Sequence, residues 1–559
     1  MPLVTIKTGE GDRHIEFCPG QSLREILDST SFRVRSGCRG TGACGLCRVN
    51  VRTNDPAGPS LIERAYLSED QIASGVRLAC QIKPEQDIEV TVLNREPVSS
   101  WRAMPGASRR FTRLASELLR SPGNAYGAAV DIGTTHISVS FYDLSTGEWF
   151  AGRHGLNPQA CFGADVVTRL IAYNESREAA RTLRGLIIDA IGSAAMDMAV
   201  REGIGLEQVV KVTLVGNTAM LAVFSGRNCD LLLQPAYWMA PIGCVPENPR
   251  ELSATWGIHP EAIIEVVQPL AGFVGSDLLA GAVGTKLVEE EPGALLIDFG
   301  TNSEIALWDG ESLWVTSAAG GPAFEGCGIS CGIPGGPGAI SQVREHPGGA
   351  GPPGGACPNF EDVIFWNKLA CSDLEFRTID DERPIGLCGS GIVDLIACLV
   401  RSGQLTSIGR FSPEVPQGGI VLLNGDRQQL RLTKKDVDIF QRAKAAIFAG
   451  VQVMLSMAKL TPGQLRRVYI GGAFGHFLNR ENARQIGLLP DLESNAIELC
   501  GNFALGGCEE LLMSEDSGKT LNKIKSKTRL INMAQCAEFD DFFMEGLYLG
   551  TWRDCNRRW

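Results

Sequence analysis

The feature that most constrains the fold of this chain is a short motif that occurs twice in its sequence. The first copy reads Asp-Ile-Gly-Thr-Thr from Asp131, and the second reads Asp-Phe-Gly-Thr-Asn from Asp298. Each copy follows an apolar strand-like run and precedes a second alternating segment, a turn and a third strand-like segment. A unit that recurs in this way predicts two related α/β halves, each beginning with a β-meander, with a cleft between them.

The residue types in the two motifs suit phosphate and metal binding. An aspartate at the end of an apolar strand is costly to bury unless its carboxylate meets a cation. The glycine allows a tight turn, and the Thr and Asn side chains add donors for phosphate oxygens, which Mg²⁺ bridges to the carboxylate. One such turn is common in hairpins, whereas two at matching places in a repeat indicate a clamp around the phosphates of one nucleotide.

A third motif completes the pattern. Residues 468–475 form a strand-like run that ends in a glycine pair, and they follow a predicted helix over 436–459. With these motifs in order, the chain resembles the sugar kinase/actin/heat-shock chaperone superfamily, whose duplicated actin-like (ribonuclease H-like) domains bind ATP. The resemblance implies that Asp131 and Asp298 hold Mg²⁺, usually through water. It implies phosphate contacts from Gly133, Thr134, Thr135, Gly300, Thr301 and Asn302, adenosine contacts from Gly471 and Gly472, and ribose or base contacts from Gln441 and Lys444.

Several other segments have two interpretations. Residues 215–218 and 389–394 are turns that either line the same cleft or serve ordinary chain reversal. Glu325 is either a base that orients water near the γ-phosphate or a carboxylate on a surface loop. His136 is interpreted as packed or solvated and not as catalytic. The residues predicted to act in catalysis are therefore Asp131, Asp298 and Glu325.

Four cysteines near the start of the chain form a second pattern. Cys38, Cys44 and Cys47 are completed by Cys80, and this C-x5-C-x2-C…C spacing nearly reproduces that of plant-type [2Fe–2S] ferredoxins. The loop is rich in glycines, which let backbone wrap a cluster and point N–H groups at sulfur. A structural zinc site is the alternative, but zinc sites usually combine two closely spaced cysteine pairs. The four cysteines are therefore predicted to ligate a [2Fe–2S] cluster, which carries one electron at a time.

The first 94 residues resemble a β-grasp ferredoxin as a whole. Strand-like runs surround one helix, which is predicted to begin at the capping box formed by Ser22 and Glu25. Residues 95–125 are rich in arginine and are interpreted as a linker or a dimer-forming arm. The predicted strands span residues 4–7, 14–17, 47–51 and 87–92.

Composition bounds the class of protein. The chain has 559 residues, 44% hydrophobic and 21% charged, which is typical of a soluble protein with several domains. A net charge of −12 argues against nucleic acid, and the sequence shows neither a long apolar run nor an export signal. Its 18 cysteines are therefore interpreted as reduced thiols in a cytoplasmic setting. The predicted α/β domains span 1–94, then a linker over 95–125, then 126–206 and 207–559, the last with a Gly/Pro-rich insertion over 335–358.

An iron–sulfur carrier fused to an ATPase suggests that nucleotide turnover drives an unfavourable electron transfer. The whole chain resembles the reductive activators of corrinoid proteins, including segments 157–159, 163–166, 214–220 and 317–326. The resemblance implies one-electron reduction of Co(II) to Co(I) in a corrinoid protein that serves cobalamin-dependent methyl transfer. It implies the cofactors [2Fe–2S], ATP and Mg²⁺ and a low-potential electron donor. Cys500, Cys508, Cys536 and Cys555 lack the tight spacing of a second cluster.

Other functions remain open at this point. The chain could activate a different low-potential enzyme, act as a redox-sensing switch that binds nucleotide, or phosphorylate a small molecule. The two aspartates favour turnover over a pure switch, and the cysteines leave a kinase unexplained. The sequence does not distinguish an O-demethylase, a methylamine system or an acetyl-CoA pathway carrier as the target, nor does it fix the oligomeric state.

Overall fold

A computed structural model describes most of the chain. The described residues are 2–8, 11–30, 32–34, 40, 42, 45, 47–52, 58–93, 101–104, 111, 125–163, 165–300, 302–318, 322–326, 328–345, 367–368, 374–424, 429–472, 474 and 477–555. They form a small N-terminal domain with a five-stranded sheet and two larger α/β halves, each with a six-stranded sheet. The predicted multidomain α/β fold is thus confirmed. None of the helices within these ranges is both long and apolar enough to cross a membrane.

The N-terminal domain has the sheet order β2-β1-β5-β3-β4. Its first helix begins where predicted, because Ser22 Oγ accepts from the Glu25 N–H at 3.3 Å and Glu25 Oε2 accepts from the Ser22 N–H at 2.7 Å. The strand β4 and two short helices escaped the sequence analysis. The elements are β1 (Leu3–Thr8), β2 (Gly11–Glu16), β3 (Arg48–Arg52), β4 (Val76–Leu78), β5 (Ile88–Val92), α1 (Leu23–Asp28), α2 (Leu61–Tyr66) and α3 (Glu69–Ala73).

The first half contains the predicted meander, and further strands extend it. Its sheet has the order β11-β10-β7-β8-β9-β6, with β10 parallel to β7. The domain boundary predicted after residue 206 falls just before β10, so strands on both sides of it pair in one sheet. The elements are β6 (Arg102–Ala103), β7 (Tyr126–Ile132), β8 (His136–Asp143), β9 (Glu148–Leu156), β10 (Val209–Gly216), β11 (Ile263–Val266), α4 (Val166–Glu175), α5 (Arg177–Glu202), α6 (Thr218–Ser225) and α7 (Pro249–Trp256).

The second half repeats this plan, in the sheet order β22-β21-β12-β13-β14-β23. The strand β21 lies parallel to β12, as β10 does to β7, so the two motifs occupy matching places. Its strands are β12 (Ala294–Phe299), β13 (Ser303–Trp308), β14 (Leu313–Ala318), β15 (Ala339–Glu345), β16 (Asn367–Lys368), β17 (Leu374–Thr378), β18 (Gly386–Leu387), β19 (Ile420–Asn424), β20 (Gln429–Leu432), β21 (Arg467–Gly472), β22 (Ile497–Gly501) and β23 (Thr528–Leu530).

Helices cover the second half and reach across to the first. They are α8 (Ser276–Gly284), α9 (Gly389–Arg401), α10 (Lys434–Met457), α11 (Arg480–Gln485), α12 (Phe503–Leu512), α13 (Ser517–Lys527), α14 (Phe539–Gly546) and α15 (Trp552–Cys555). At the contact between α8 and α12, a Cβ on Gly507 would lie 1.7 Å from the Ala280 carbonyl oxygen, so the two backbones touch. One apolar cluster joins Ala129 and Val215 of the first sheet with Leu296 of the second. The halves therefore share a core beneath the strand ends that carry the motifs.

Part of the Gly/Pro-rich segment is ordinary sheet. The strand β15 begins at Ala339 and pairs with β17, and Ala339, Ile340 and Val343 are buried. Ordered structure therefore begins inside the segment interpreted as an insertion, while residues 346–366 lie outside the described ranges. Most of the predicted linker also lies outside them, although Arg102–Ala103 adds β6 to the first sheet.

Candidate functional site

The two repeated aspartates lie at the ends of matching strands. Asp131 is the next-to-last residue of β7, and Asp298 is the next-to-last residue of β12. Asn502, which caps α12, donates its Nδ2 hydrogen to Asp131 Oδ2 at 2.7 Å. Gly472, at φ 82°, brings its backbone so close that a Cβ there would lie 2.2 Å from Asp298 Oδ1. The structure thus joins the second aspartate to the predicted glycine pair.

Glu325 reaches the same cleft from the second half. Its Oε1 accepts a hydrogen bond at 2.6 Å from Thr135 Oγ1, which belongs to the first motif. Glu325 is half-buried, and its charge acts on Asp298. The contact places Glu325 between the two halves and not on a free surface loop.

Two further carboxyl groups, Asp277 and Glu304, belong to the site and escaped the sequence analysis. Asp277 lies in the first turn of α8, and Glu304 is the second residue of β13. The two carboxyl groups form a hydrogen bond with each other, and Glu304 Oε1 also accepts from the Gly275 N–H at 3.4 Å. Two carboxyl groups this close need a proton or a cation between them. A polar residue just after the second motif was the only signal for Glu304 in the sequence.

The electrostatics of this group are unbalanced. Burial raises the pKa of Asp131 to about 7, with the charge of Asp277 adding to the effect and the hydrogen bond from Asn502 opposing it. Burial, and then the charges of Asp277, Asp131 and Glu325, raise the pKa of Asp298 well above its usual value. Burial and the charges of Asp277 and Asp298 do the same to the pKa of Glu304. The cleft therefore lacks positive charge near its carboxyl groups, and a bound cation would favour their ionised forms.

The chemistry of these donors fits a hydrated magnesium ion. Mg²⁺ prefers oxygen ligands and usually keeps several waters, binding through one or two carboxylates. Among the described residues, no three His, Cys, Asp or Glu side chains converge to hold a metal directly. An ion held through water needs no such convergence, so the two observations agree.

The cysteine loop has a cradle of the kind a cluster needs. Cys47 and Cys80 are buried side by side, and Cys38 and Cys44 lie outside the described residues. The hydrogen bond with Cys47, and then Gln81 and the charge of Arg24, lower the pKa of Cys80 to about 6 against the effect of burial. A Cβ on Gly42 would lie 2.7 Å from Ile62 Cγ2, so the loop packs too tightly for another residue. A lowered thiol pKa suits a metal ligand, since the thiolate is the form that binds.

Comparison with known families decides how these two sites belong together. Residues 7–85 match the 2Fe-2S iron-sulfur cluster binding domain, residues 126–290 match the RACo middle region, and residues 293–554 match the C-terminal domain of RACo, the ASKHA domain. The chain belongs to the RACo family. The predicted resemblance to reductive activators of corrinoid proteins is thereby confirmed, and the matches support a [2Fe–2S] cluster and a nucleotide site in one RACo chain.

Individual relatives of this RACo chain agree with the family. It is 29% identical over 449 residues to the corrinoid activation enzyme RamQ of Eubacterium limosum, covering 76% of this chain and 70% of the relative. It is 26% identical over 438 residues to a [Co(II) methylated amine-specific corrinoid protein] reductase of Methanosarcina barkeri, covering 75% and 76%. A solved reductive activator for corrinoid, iron-sulfur protein shares the fold, with a TM-score of 0.64, 24% identity and 98% of each chain covered.

Within the RACo chain the remaining residues of the first motif support the turn. A Cβ on Gly133 would lie 2.7 Å from the His136 carbonyl oxygen, so the turn has no space for a side chain. Thr134 is buried, and its carbonyl accepts from Arg169 Nη1 at 2.6 Å. His136 is half-buried, and burial lowers its pKa. In the second motif, Gly300 and Asn302 are half-buried in the turn after β12, and Thr301 lies outside the described residues.

The residues predicted to contact adenosine have different surroundings. Gln441 and Lys444 of α10 donate to the carbonyl oxygens of Leu547 and Tyr548 at 2.6 and 2.5 Å, and both side chains are buried. These bonds fix the C-terminal segment to α10. At Gly471, a Cβ would lie 2.2 Å from the Phe503 ring, so that glycine serves close packing. Their contact with a nucleotide stays a prediction.

The two turns with open interpretations serve local structure. Asn217 caps α6 by accepting from the Ala219 N–H at 3.0 Å. Ser390 Oγ donates to the Ser341 carbonyl at 2.8 Å, and Asp394 accepts from the Val343 N–H at 3.1 Å and from Asn482 Nδ2 at 2.7 Å. These contacts attach α9 to β15 and α11, so they account for the segment 389–394 without a ligand.

Proposed function

We propose that this protein is an ATP-dependent reductive activator that reduces an inactive Co(II) corrinoid protein to Co(I). The observation that carries the proposal is one chain with two sites: Cys47 and Cys80 in a cluster-binding domain, and Asp131 and Asp298 at matching strand ends of a nucleotide fold. Two relatives bear names that describe action on corrinoid proteins. The substrate is thus a cobalt centre that serves cobalamin-dependent methyl transfer, and a low-potential donor supplies the electron.

The carboxylates of the cleft have separate tasks in this proposal. Asp131 and Asp298, one from each half, would hold hydrated Mg²⁺, which would neutralise charge on the nucleotide phosphates. Glu325 orients the attacking water, and its bond to Thr135 fixes its position relative to the first motif. The backbone of Gly472 packs against the Asp298 carboxylate, where a side chain would not fit, and so helps to fix its position. Closure of the halves on ATP therefore assembles groups from both motifs.

The energy required is moderate. A bound [2Fe–2S] cluster supplies one electron at a time, near about −400 mV. For one electron, each ~60 mV of uphill gap costs about 1.4 kcal/mol. A gap of roughly 150 mV costs about 3.5 kcal/mol, which differential binding of two protein states can provide. We infer that binding to the activator weakens an axial ligand of Co(II), and that ATP hydrolysis releases the reduced product.

The first prediction concerns Asp298 in a complete reaction. Purified protein, a low-potential reductant and Mg-ATP are mixed with candidate Co(II) corrinoid proteins, and the optical band of Co(I) is followed. Asp298→Ala removes the carboxylate that faces Gly472, so we expect ATP-dependent Co(I) formation to fall at least 100-fold, a loss of about 3 kcal/mol, while the cluster spectrum stays intact.

The matched control is Glu311→Ala, which removes an exposed carboxylate from the turn after β13 and is expected to leave the rate unchanged. Normal Co(I) formation by Asp298→Ala would contradict the proposal. Phosphate release without Co(I) formation on any corrinoid protein would instead favour the activator of a different redox enzyme or the redox-sensing switch.

A further inference from the structure

Buried ion pairs join the N-terminal domain to the first half. On α1, Arg24 Nη2 lies 2.6 Å from Glu202 Oε1 at the end of α5, and Arg24 Nε lies 3.2 Å from Asp28 Oδ2. Asp28 in turn pairs with Arg201 of α5. None of these four side chains is more than 7% exposed. Water therefore screens these charges little, and the pairs fix α1 against α5.

A second group of ion pairs in the same network joins Arg33, which follows α1, to Asp197 of α5 and Arg153 of β9. Arg33 Nη2 lies 2.9 Å from Asp197 Oδ2, and Arg33 Nη1 donates to the Trp101 carbonyl at 2.7 Å. Arg153 Nε lies 2.5 Å from Asp197 Oδ2. Together with the pairs on α1, this network among the described residues holds four guanidinium groups and three carboxylates. The guanidinium groups belong to Arg24, Arg33, Arg153 and Arg201, and the carboxylates to Asp28, Asp197 and Glu202.

The same Arg24 also borders the cysteine loop. A Cβ placed on Gly40 would lie 3.3 Å from Arg24 Nη1 and 3.7 Å from the Cβ of Cys80. Gly40 lies between the first two predicted cluster cysteines in the sequence. The guanidinium of Arg24 is therefore situated between the loop that would hold the cluster and the carboxylate of Glu202.

We propose that Arg24 is a positioning residue for electron transfer. Its single guanidinium group both favours the reduced cluster and holds the N-terminal domain on α5. The positive charge of Arg24 beside the loop favours the additional negative charge of a reduced cluster. The negative charge of Glu202 offsets that of Arg24 and therefore disfavours reduction. Because the loop and Glu202 share one guanidinium, docking and reduction influence each other equally in both directions. The inference rests on the [2Fe–2S] part of the proposed function and is independent of cobalt and ATP.

Two substitutions break the same ion pair but change the charge in opposite directions. Arg24→Gln removes the cation, so we expect a lower reduction potential for the cluster. Glu202→Gln removes the anion, so we expect a higher one. Each is expected to change the equilibrium constant for one-electron reduction about threefold to tenfold, tenfold being about 59 mV. The holoprotein is titrated with dithionite, and the electron paramagnetic resonance signal of the reduced cluster is followed.

Docking is measured in the same variants by amide hydrogen exchange at residues 197–203. Both substitutions should accelerate exchange there, because both remove one of the two ion pairs between α1 and α5. The matched control is Arg377→Gln, which breaks the pair between Arg377 and Glu16, 3.4 Å apart. Glu16 ends β2, at the sheet edge opposite to the strand β4 that precedes Cys80. We expect this control to leave the potential unchanged.

Opposite shifts of potential together with faster exchange in both variants would support the inference. Shifts in the same direction, or none, would overturn it, since a purely structural contact predicts no dependence on the sign of the removed charge. Unchanged exchange in both variants would also overturn it. Iron content and the visible spectrum verify that each variant is loaded, and Arg24→Met, which also removes the cation, replaces Arg24→Gln if the latter does not fold. Failure here leaves Co(I) formation by the wild type untouched, so the two proposals fail separately.

Discussion

Two regions of this protein treat their charged side chains differently: the nucleotide cleft and the interface between the N-terminal domain and α5. In the cleft, Asp131 and Glu304 are buried, Asp277 and Asp298 are half-buried, and the pKa of each is raised first by burial. At the interface, burial alone would raise the pKa of Asp197, but the charge of Arg153 and the hydrogen bond from Arg33 lower it. Carboxylates that meet guanidinium groups stay charged, whereas those that meet each other do not.

The difference separates a finished contact from a site that takes a ligand. The interface obtains its counter-charges from within the chain, so its ion pairs hold two domains together without help. The cleft obtains few, so its carboxylates are stabilised by whatever positive charge arrives, and Mg²⁺ with a nucleotide supplies such charge. In the cleft, the ionised carboxylates that would bind a cation therefore destabilise the ligand-free fold. At the interface, the ionised carboxylates stabilise the fold.

The largest expected effect is a dependence of stability on pH that differs between the two regions. Asp131 has a pKa of about 7 in the folded protein against an ordinary value of 3.8, so its neutral form stabilises the fold below pH 4. That contribution is lost as the pH rises through 7, and a shift of this size corresponds to about 4 kcal/mol. The thermal midpoint of the metal-free protein should fall over this window, and Mg-ATP should remove the fall.

At the interface, stability depends on pH with the opposite sign. The lowered pKa of Asp197 stabilises the fold above its ordinary value of 3.8, and this contribution is lost only on acidification below that value. Asp131→Asn should therefore flatten the midpoint curve between pH 4 and 7. Asp197→Asn should leave the slope in that window unchanged. A wild-type midpoint that is constant from pH 4 to 7 without metal would contradict the assignment of unbalanced charge to the cleft.

Matched Asp-to-Asn substitutions give the next largest effect. Asp197→Asn leaves the guanidinium group of Arg33 buried without this counter-charge and that of Arg153 with only Glu202, 3.6 Å away, and we expect a loss of about 3 kcal/mol in stability. Asp298→Asn removes repulsion in the cleft, so the metal-free protein should be as stable as the wild type or more so. Denaturant unfolding near neutral pH measures both.

Equal losses of stability in Asp197→Asn and Asp298→Asn would contradict the difference between the interface and the cleft. The addition of Mg-ATP sharpens it, because ligand binding to the folded state raises the unfolding midpoint. The wild type and Asp197→Asn should both gain from the ligand, whereas Asp298→Asn should gain little. This last result also distinguishes a binding defect from a folding defect.

How far the sequence predicts the two regions depends on how local their signals are. Asp131 and Asp298 stand in short motifs at strand ends, and Ser22 with Glu25 forms a capping box within four residues, so both were found by pattern alone. Asp277 and Glu304 reach the cleft only through the packing of α8 against β13. A single sequence contains no record of that contact, and neither residue has a motif of its own.

The interface was harder still to predict. Arg24 and Glu202 are far apart in the chain, and each is an unremarkable charge on an amphipathic helix until the domains meet. The placement of the predicted domain boundary after residue 206 has a similar explanation. The strand β10 follows the long helix α5, so it reads as the start of a new unit, yet it pairs with β7. Such pairing over many residues is set by tertiary contacts and not by local preference.

The smallest expected effect separates a helix cap from charge balance at one residue of the cleft. Asn502 accepts from the Leu505 N–H at 2.8 Å as the cap of α12, and it donates to Asp131. Asn502→Ala loses both bonds, and we expect a cost of about 1 kcal/mol in stability. Asn502→Asp keeps a good cap but replaces a donor with a carboxylate beside Asp131, so at neutral pH its cost should equal or exceed that of the alanine variant. At pH 4, where the facing carboxyl groups are protonated, Asn502→Asp should be the more stable of the two, and an unchanged ranking of the unfolding midpoints between these pH values would show that the cap alone determines the role of Asn502.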